Sequence, residues 1–140
     1  MILYLDTSAL VKAYIAEHMS NKVMDAIEKS DIIASHSIAY VEAHAAFSRL
    51  KREQKINEST FVTIKKVFIE DWGNYLQVEN SFTILQQASE FADVFALRAY
   101  DSVHLSAAVL LFRQTKQDVS FACFDEQLNK AAKILGLTLF

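Results

Sequence analysis

The 140-residue chain predicts an α/β fold: a three-layer α/β/α sandwich around a central, mostly parallel sheet of four to five strands. Three observations lead there. Short apolar runs of buried-strand type alternate with amphipathic helical stretches along the chain, the pattern of strands joined by crossover helices. There is no proline and there are only two glycines, Gly73 and Gly136, so the punctuation of a hairpin-rich β fold is missing. Apolar residues make up 52% of the sequence and charged residues 22%, enough to fill one substantial core at a length typical of a single domain, residues 1–140.

Taken in order, Ile2 to Leu5 is the first buried strand, and Thr7 caps a helix in which Leu10, Val11, Tyr14 and Ile15 recur at helical spacing. A helix from Ser20 precedes a second strand at Asp31 to Ser35, and Ser37 to about Glu53 is again helical, with Val41, Ala45 and Leu50 on one side. Residues 57 to 72 carry an apolar stripe of Phe61, Ile64, Val67, Phe68 and Trp72, and Gly73 ends that helix. Tyr75 to Val78 is a third strand. Ser81 caps a helix with Ile84, Leu85, Ala88 and Ala92 inward, and Asp101 opens a nearly all-apolar helix. Val119 to Cys123 is a strand, Asp125 to Leu135 a helix stopped by Gly136, and Leu137 to Leu139 a last short strand.

Bulk charge narrows the function classes. Fourteen basic and seventeen acidic side chains leave a net charge of −3, so no global positive field draws in a polyanion; a carboxylate site still binds phosphate when divalent cations lie between them. The one cysteine, Cys123, excludes a disulfide framework and a multi-cysteine metal centre, and a reducing cytoplasm is the expected location. No signal peptide and no membrane span is expected from the N-terminus or from the longest apolar stretch, Val103 to Phe112. A glycine-rich turn for a dinucleotide is missing after the first strand. The residue two after Asp6 is Ser8, which excludes the DxDxT pattern of aspartyl phosphotransferases.

Four acidic residues stand out by their apolar surroundings: Asp6 in ILYLDTSAL, Glu42 in IAYVEAHAAF, Asp101 in LRAYDSVHLSAA and Asp125 in FACFDEQL. Burying an ionised carboxylate costs several kcal/mol unless a cation or donors compensate, and a shared divalent ion accounts for all four at once. Asp6 and Asp125 follow strands, at the edge where open parallel sheets bind ligands, while Asp101 and Glu42 lie near the starts of helices facing that edge. Hard oxygen ligands suit Mg2+ or Mn2+. Asp101 and Asp125 are equally readable as helix caps; capping accounts for neither Glu42 nor the apolar context of Asp6.

Those segments resemble, in order, the motifs of the PIN domain family, in particular the VapC-type toxins of toxin–antitoxin pairs. LDTSALVK at 5–12 is similar to the opening motif and carries Asp6. SIAYVEAHAAFSRL at 37–50 carries Glu42 in the acidic position, with Arg49 where an arginine often follows. LRAYDSVHLSAA at 97–108 gives Asp101 and FACFDEQLNKAAKILGL at 121–137 gives Asp125. Cys123 departs from the threonine or serine common two positions before the last aspartate. The resemblance implies a PIN-like fold, a Mg2+- or Mn2+-dependent ribonuclease leaving 5′-phosphate and 3′-hydroxyl ends, catalytic and metal-binding roles for the four acids, and a VapB-like antitoxin as partner. An antitoxin arginine pairing with Asp6 or Asp101 would suit such an inhibitor, and the stripe of Phe61, Ile64, Val67 and Phe68 suits either a groove for a partner helix or, for most of its residues, the core. A homodimer is expected, with apolar surface on the helices at 57–72 and 101–113.

Supporting residues are less determined. Ser8 and Thr7 suit either contact with metal-bound water or capping, and Lys12, Arg49 and Arg98 either phosphate contact or surface ion pairs. Glu126 suits an outer ligand or a solvated helix position, and His104 reads as a packed core residue. Two other functions share these features: a housekeeping PIN-type RNA-processing nuclease, and a non-catalytic PIN-like module that binds RNA or protein.

Overall fold

In the computed structural model, which describes residues 1–140, the apolar run Ile2–Leu5 forms β1, fully buried. The chain continues through α1 (Thr7–Lys12), α2 (Ser20–Glu28), β2 (Ile32–His36), α3 (Ala39–Arg52) and α4 (Glu58–Trp72). It then forms β3 (Leu76–Val78), α5 (Phe82–Val94), α6 (Ala99–Thr115), β4 (Val119–Ala122), α7 (Glu126–Ile134) and β5 (Thr138–Leu139). All five strands are parallel in the order β3-β2-β1-β4-β5, with Ile2 opposite Ile32 on one side and Val119 on the other. The expected sandwich with a parallel sheet is present.

Alternate residues of β1 serve opposite layers, as strand geometry requires. Ile2 and Tyr4 pack with Phe91 of α5, Leu105 and Val109 of α6, and Leu128 of α7. Leu3 and Leu5 pack with Leu10, Val23, Phe47 and Phe68 of α1, α2, α3 and α4. Because every strand runs the same way, the carboxyl ends of β1, β2 and β4 lie along one edge, and the segments after them converge there. No single helix is long and apolar enough to cross a membrane.

Several expected faces differ. α3 buries Ala39, Ala43 and Phe47, whereas Val41 is 62% exposed and Ala45 is exposed. The first half of the helix carries apolar side chains on several sides, Tyr40, Val41, Ala43, Ala45, Ala46 and Phe47, so periodicity offers more than one stripe, and packing against α1 and α4 selects the one with Phe47. In α5 Phe91 is buried and Leu85 exposed. Phe61 and Phe68 belong to the core and so form no open groove for a partner, leaving Val67 exposed among them. α6 is the central helix of its layer, mostly buried, so it does not offer the free apolar surface expected of it. Three exposed apolar residues, Val41, Leu85 and Tyr100, line one open cavity of about 280 Å3 instead, and Phe82, also exposed, is on the same helix as Leu85.

Candidate active site

Asp6 leaves the carboxyl end of β1, its amide donating to the Ala122 carbonyl of β4 at 3.1 Å. It is the N-cap of α1. Its Oδ1 accepts from the Ala9 amide at 2.9 Å and from the Ser8 hydroxyl at 2.7 Å, and its Oδ2 takes no hydrogen bond from the protein. The cap expected at Thr7 therefore falls one residue earlier, because Asp6 has the extended backbone of a cap and Thr7 is already helical. Burial raises the Asp6 carboxyl above its ordinary range; His104, Ser8 and Ala9 pull against this, and the Asp101 charge adds to it.

Thr7 is freed from capping to reach across to α3, where its hydroxyl donates to Glu42 Oε1 at 2.6 Å. Glu42, in the first turn of α3, also meets His104 Nε2 through Oε1 at 3.0 Å, and its Oε2 has no protein partner. Burial pushes its carboxyl up, but the hydrogen bonds from His104 and Thr7 and the charges of His104 and His36 outweigh that and hold it below the ordinary range. His104 is buried on α6, as a core residue should be, and its Nδ1 lies 2.8 Å from the Tyr4 hydroxyl. The sequence left this link unread: His104 lies one turn after Asp101, but nothing in that spacing names Glu42, 62 positions away.

Asp101 occupies the first turn of α6 but does not cap it. The cap is Arg98, whose side chain makes no capping bond; its Nε lies 3.4 Å from Asp101 Oδ2 at the surface. Asp125 does cap, its Oδ1 accepting from the Leu128 amide of α7 at 2.8 Å. Between β4 and this cap sits Cys123, buried, its Sγ 3.2 Å from Asn129 Oδ1. Burial pushes the thiol up to about 12, with the charges of Asp6, Asp125 and Asp101 adding and a backbone hydrogen bond at Asp125 opposing. Three of the four acids thus act on one buried group, while Glu42 joins the cluster through Thr7 and His104.

The basic residues divide. Lys12 is turned away, bound to Glu17 at 3.1 Å and to the His18 carbonyl at 2.9 Å, with its ammonium over the Phe124 ring. Arg49 lies 3.8 Å from Glu53 and is largely exposed; with Arg52, Glu42, Ala45 and Ala46 it lines an open cavity of about 370 Å3. Arg52 carries no motif and was not singled out from sequence. Glu126 is exposed and pairs with Lys130 at 3.7 Å, apart from the cluster. His36, also unmarked by any motif, is buried at the end of β2; its Nδ1 accepts from the Ile38 amide and its Nε2 has no partner.

No three acidic, imidazole or thiol side chains stand close enough to enclose an ion by themselves. Asp6, Glu42 and Asp125 instead each have one oxygen anchored by the protein's own donors and one without a protein partner. Such a donor set fits a hard cation held by one or two carboxylates that keeps most of its waters, as Mg2+ does, and not an all-protein cage.

No protein-family model matches the chain. Two curated proteins do along nearly its full length: ribonuclease VapC45 of Mycobacterium tuberculosis strain CDC 1551 / Oshkosh and ribonuclease VapC49 of strain ATCC 25618 / H37Rv. Each is 28% identical over 135 residues, 96% of this chain and 92% of the relative. Among solved structures, the M. tuberculosis toxin VapC20, described as cleaving the sarcin-ricin loop, superposes with a TM-score of 0.64 at 13% identity, covering 92% of this chain and 94% of that one. VapBC2 of Rickettsia felis, solved on a fragment of promoter DNA, gives 0.65 at 16% identity over 100% and 98% of the two chains. FitAcB of Neisseria gonorrhoeae gives 0.65 at 16% over 100% and 96%. Ordered motifs, a shared fold and full-length sequence similarity agree: the chain is similar throughout to ribonucleases of the VapC type and has the fold of the solved VapC structures.

Proposed function

We propose that the chain is a metal-dependent endoribonuclease, the toxin of a toxin–antitoxin pair, that hydrolyses RNA phosphodiester bonds at the edge carrying Asp6, Glu42, Asp101 and Asp125. This reading is supported by four acids carried on segments that meet the carboxyl edge of the sheet, Asp6 and Asp125 directly after β1 and β4 and Glu42 bonded to Thr7 and His104, in a chain whose full-length relatives are named ribonucleases. Asp6 and Asp101, with Glu42 and Asp125, are the residues to hold Mg2+ or Mn2+. When bound, the ion supplies Lewis acidity toward the phosphodiester and makes water a better nucleophile.

The chain's own part is orientation. Ser8 and the Ala9 amide fix Asp6, Thr7 and His104 fix Glu42, and the α7 amide fixes Asp125, so each carboxylate turns a defined oxygen to the site. Arg49 and Arg52 along one wall, and the exposed Arg98 on another, are suited to the phosphates flanking the cut. By family resemblance the ends left are a 5′-phosphate and a 3′-hydroxyl. Purified protein should cleave RNA with Mg2+ or Mn2+ and stop when chelator is added; undiminished cleavage in excess chelator would defeat the metal mechanism.

The partner reading follows from the same neighbours. An antitoxin supplying an arginine to the unpartnered oxygens of Asp6 or Glu42 would silence the site by taking the cation's place. A second copy of the chain suits the exposed apolar face of Val41, Phe82, Leu85 and Tyr100. Expression alone should arrest growth, and co-expression with the adjacent gene's product should relieve it; light scattering of the purified chain reads the dimer.

A further inference from the structure

We infer that Tyr4 and His104 act as a tautomer lock on Glu42: Tyr4 donates to His104 Nδ1, which keeps the ring proton on Nε2, where it is donated to Glu42 Oε1. His104 is a positioning residue, and the proposal rests on the ribonuclease reading of the site. The geometry has few alternatives. His104 is 2% exposed, so water does not set its proton; its two nitrogens face only Tyr4 on one side and Glu42 with Thr7 on the other. A carboxylate accepts only, and Glu42 Oε1 already takes the Thr7 hydroxyl proton, so a bare lone pair on Nε2 at 3.0 Å from Oε1 would set two acceptors against each other. Nε2 therefore carries hydrogen.

Tyr4 completes the chain. It is fully buried between Phe121 and His104, stacked on the former with ring centroids 5.6 Å apart, so its oxygen is held 2.8 Å from Nδ1. An ordinary phenol keeps its proton at neutral and mildly alkaline pH, so the hydrogen that Nδ1 requires is on the oxygen. The consequence is geometric: Thr7 and His104 both converge on Oε1. Oε2 is left as the oxygen that Glu42 offers to a cation. A carboxylate whose two oxygens exchange roles by rotation would present neither in a fixed place, and losses at such supporting contacts run from roughly 10- to 100-fold in metal affinity.

The test reads the proton directly and then its effect. Long-range 1H–15N spectra of the metal-free protein at mildly alkaline pH should show His104 as the Nε2–H tautomer, and Tyr4→Phe, which keeps the ring packing, should turn it into a mixture. Mn2+ titration followed by electron paramagnetic resonance should weaken roughly 10- to 100-fold in His104→Leu. His104→Gln, whose amide still donates to Oε1, should recover most of that affinity, and kcat should fall in His104→Leu more than KM changes. An Nδ1–H ring or an imidazolium in the wild type, or unchanged Mn2+ affinity in a folded His104→Leu, would overturn the lock. A wild-type protein with the Nε2–H ring and tight Mn2+ binding but no cleavage of any RNA would instead sink the ribonuclease reading and leave the lock standing.

Discussion

Asp6 and Asp125 end strands and cap the helices that follow, whereas Glu42 and Asp101 lie in the first turns of helices that begin without a side-chain cap. The first pair has a structural task that would persist if the site did nothing. The second pair has none that its own helix requires: Glu42 is held by Thr7 and His104, and Asp101 meets only an exposed Arg98. A capping aspartate is positioned by its own backbone and comes with the fold; a mid-turn acid needs residues from distant segments to hold it. This contrast predicts where charge and structure separate on substitution.

Asp6→Asn and Asp101→Asn should each lower cleavage by at least about 100-fold, since each removes charge from the cation's place. In chelator they should part company. Asn keeps the acceptor that Ala9 needs and relieves a buried charge held above its ordinary range, so Asp6→Asn should raise the melting temperature, while Asp101→Asn should leave it nearly unchanged. Equal thermal shifts in the two variants would erase the distinction drawn here.

At the other cap, Asp125→Ala should lose about 1 kcal/mol of stability, roughly 3–4 °C in melting temperature, and Asp125→Asn much less. Both should lose activity. If Asp125→Asn retains full activity, Asp125 is a cap and nothing more.

The carboxylates also predict opposite slopes with acidity. Asp6, raised above the ordinary aspartate value, gives stability that is present below its unfolded pKa and is lost as pH rises through the folded value. Glu42, lowered from 4.5, gives stability that is present above its unfolded pKa and is lost as pH falls through the folded value. Urea denaturation of metal-free protein between neutral and acid pH should therefore show wild type gaining on Asp6→Asn, and losing ground to Glu42→Gln, as pH falls. Parallel curves for the two variants would contradict the opposed environments. Smaller still is the effect at Cys123: buried and pushed up to about 12, the thiol should resist alkylation in the native protein and react only on unfolding.

What the sequence disclosed follows the same division. β1 and β4 are short apolar runs ending in aspartate, and both the strands and the acids after them were legible because pattern and chemistry are local. β2 was read one residue early, since the Asp31 to His36 segment has no break to fix its register before it pairs with β1. The cap was assigned to Thr7 where Asp6 takes it, because both residues cap well and only the backbone decides. Neither the buried face of α3 nor the Tyr4–His104–Glu42 chain was legible, since each depends on contacts between residues far apart in the sequence.

The placement of β1 between β2 and β4 decides when the acidic site can form. Asp6 and β1 lie far ahead of β4 and Asp125 in the sequence, yet β1 and β4 are paired neighbours in the sheet. The sheet cannot close around β1 by local contacts alone, and domains fold as units once their distant segments are available. The acidic site is therefore assembled only after the segment from residue 119 onward has joined the sheet, however complete the half built on β2 and β3 already is.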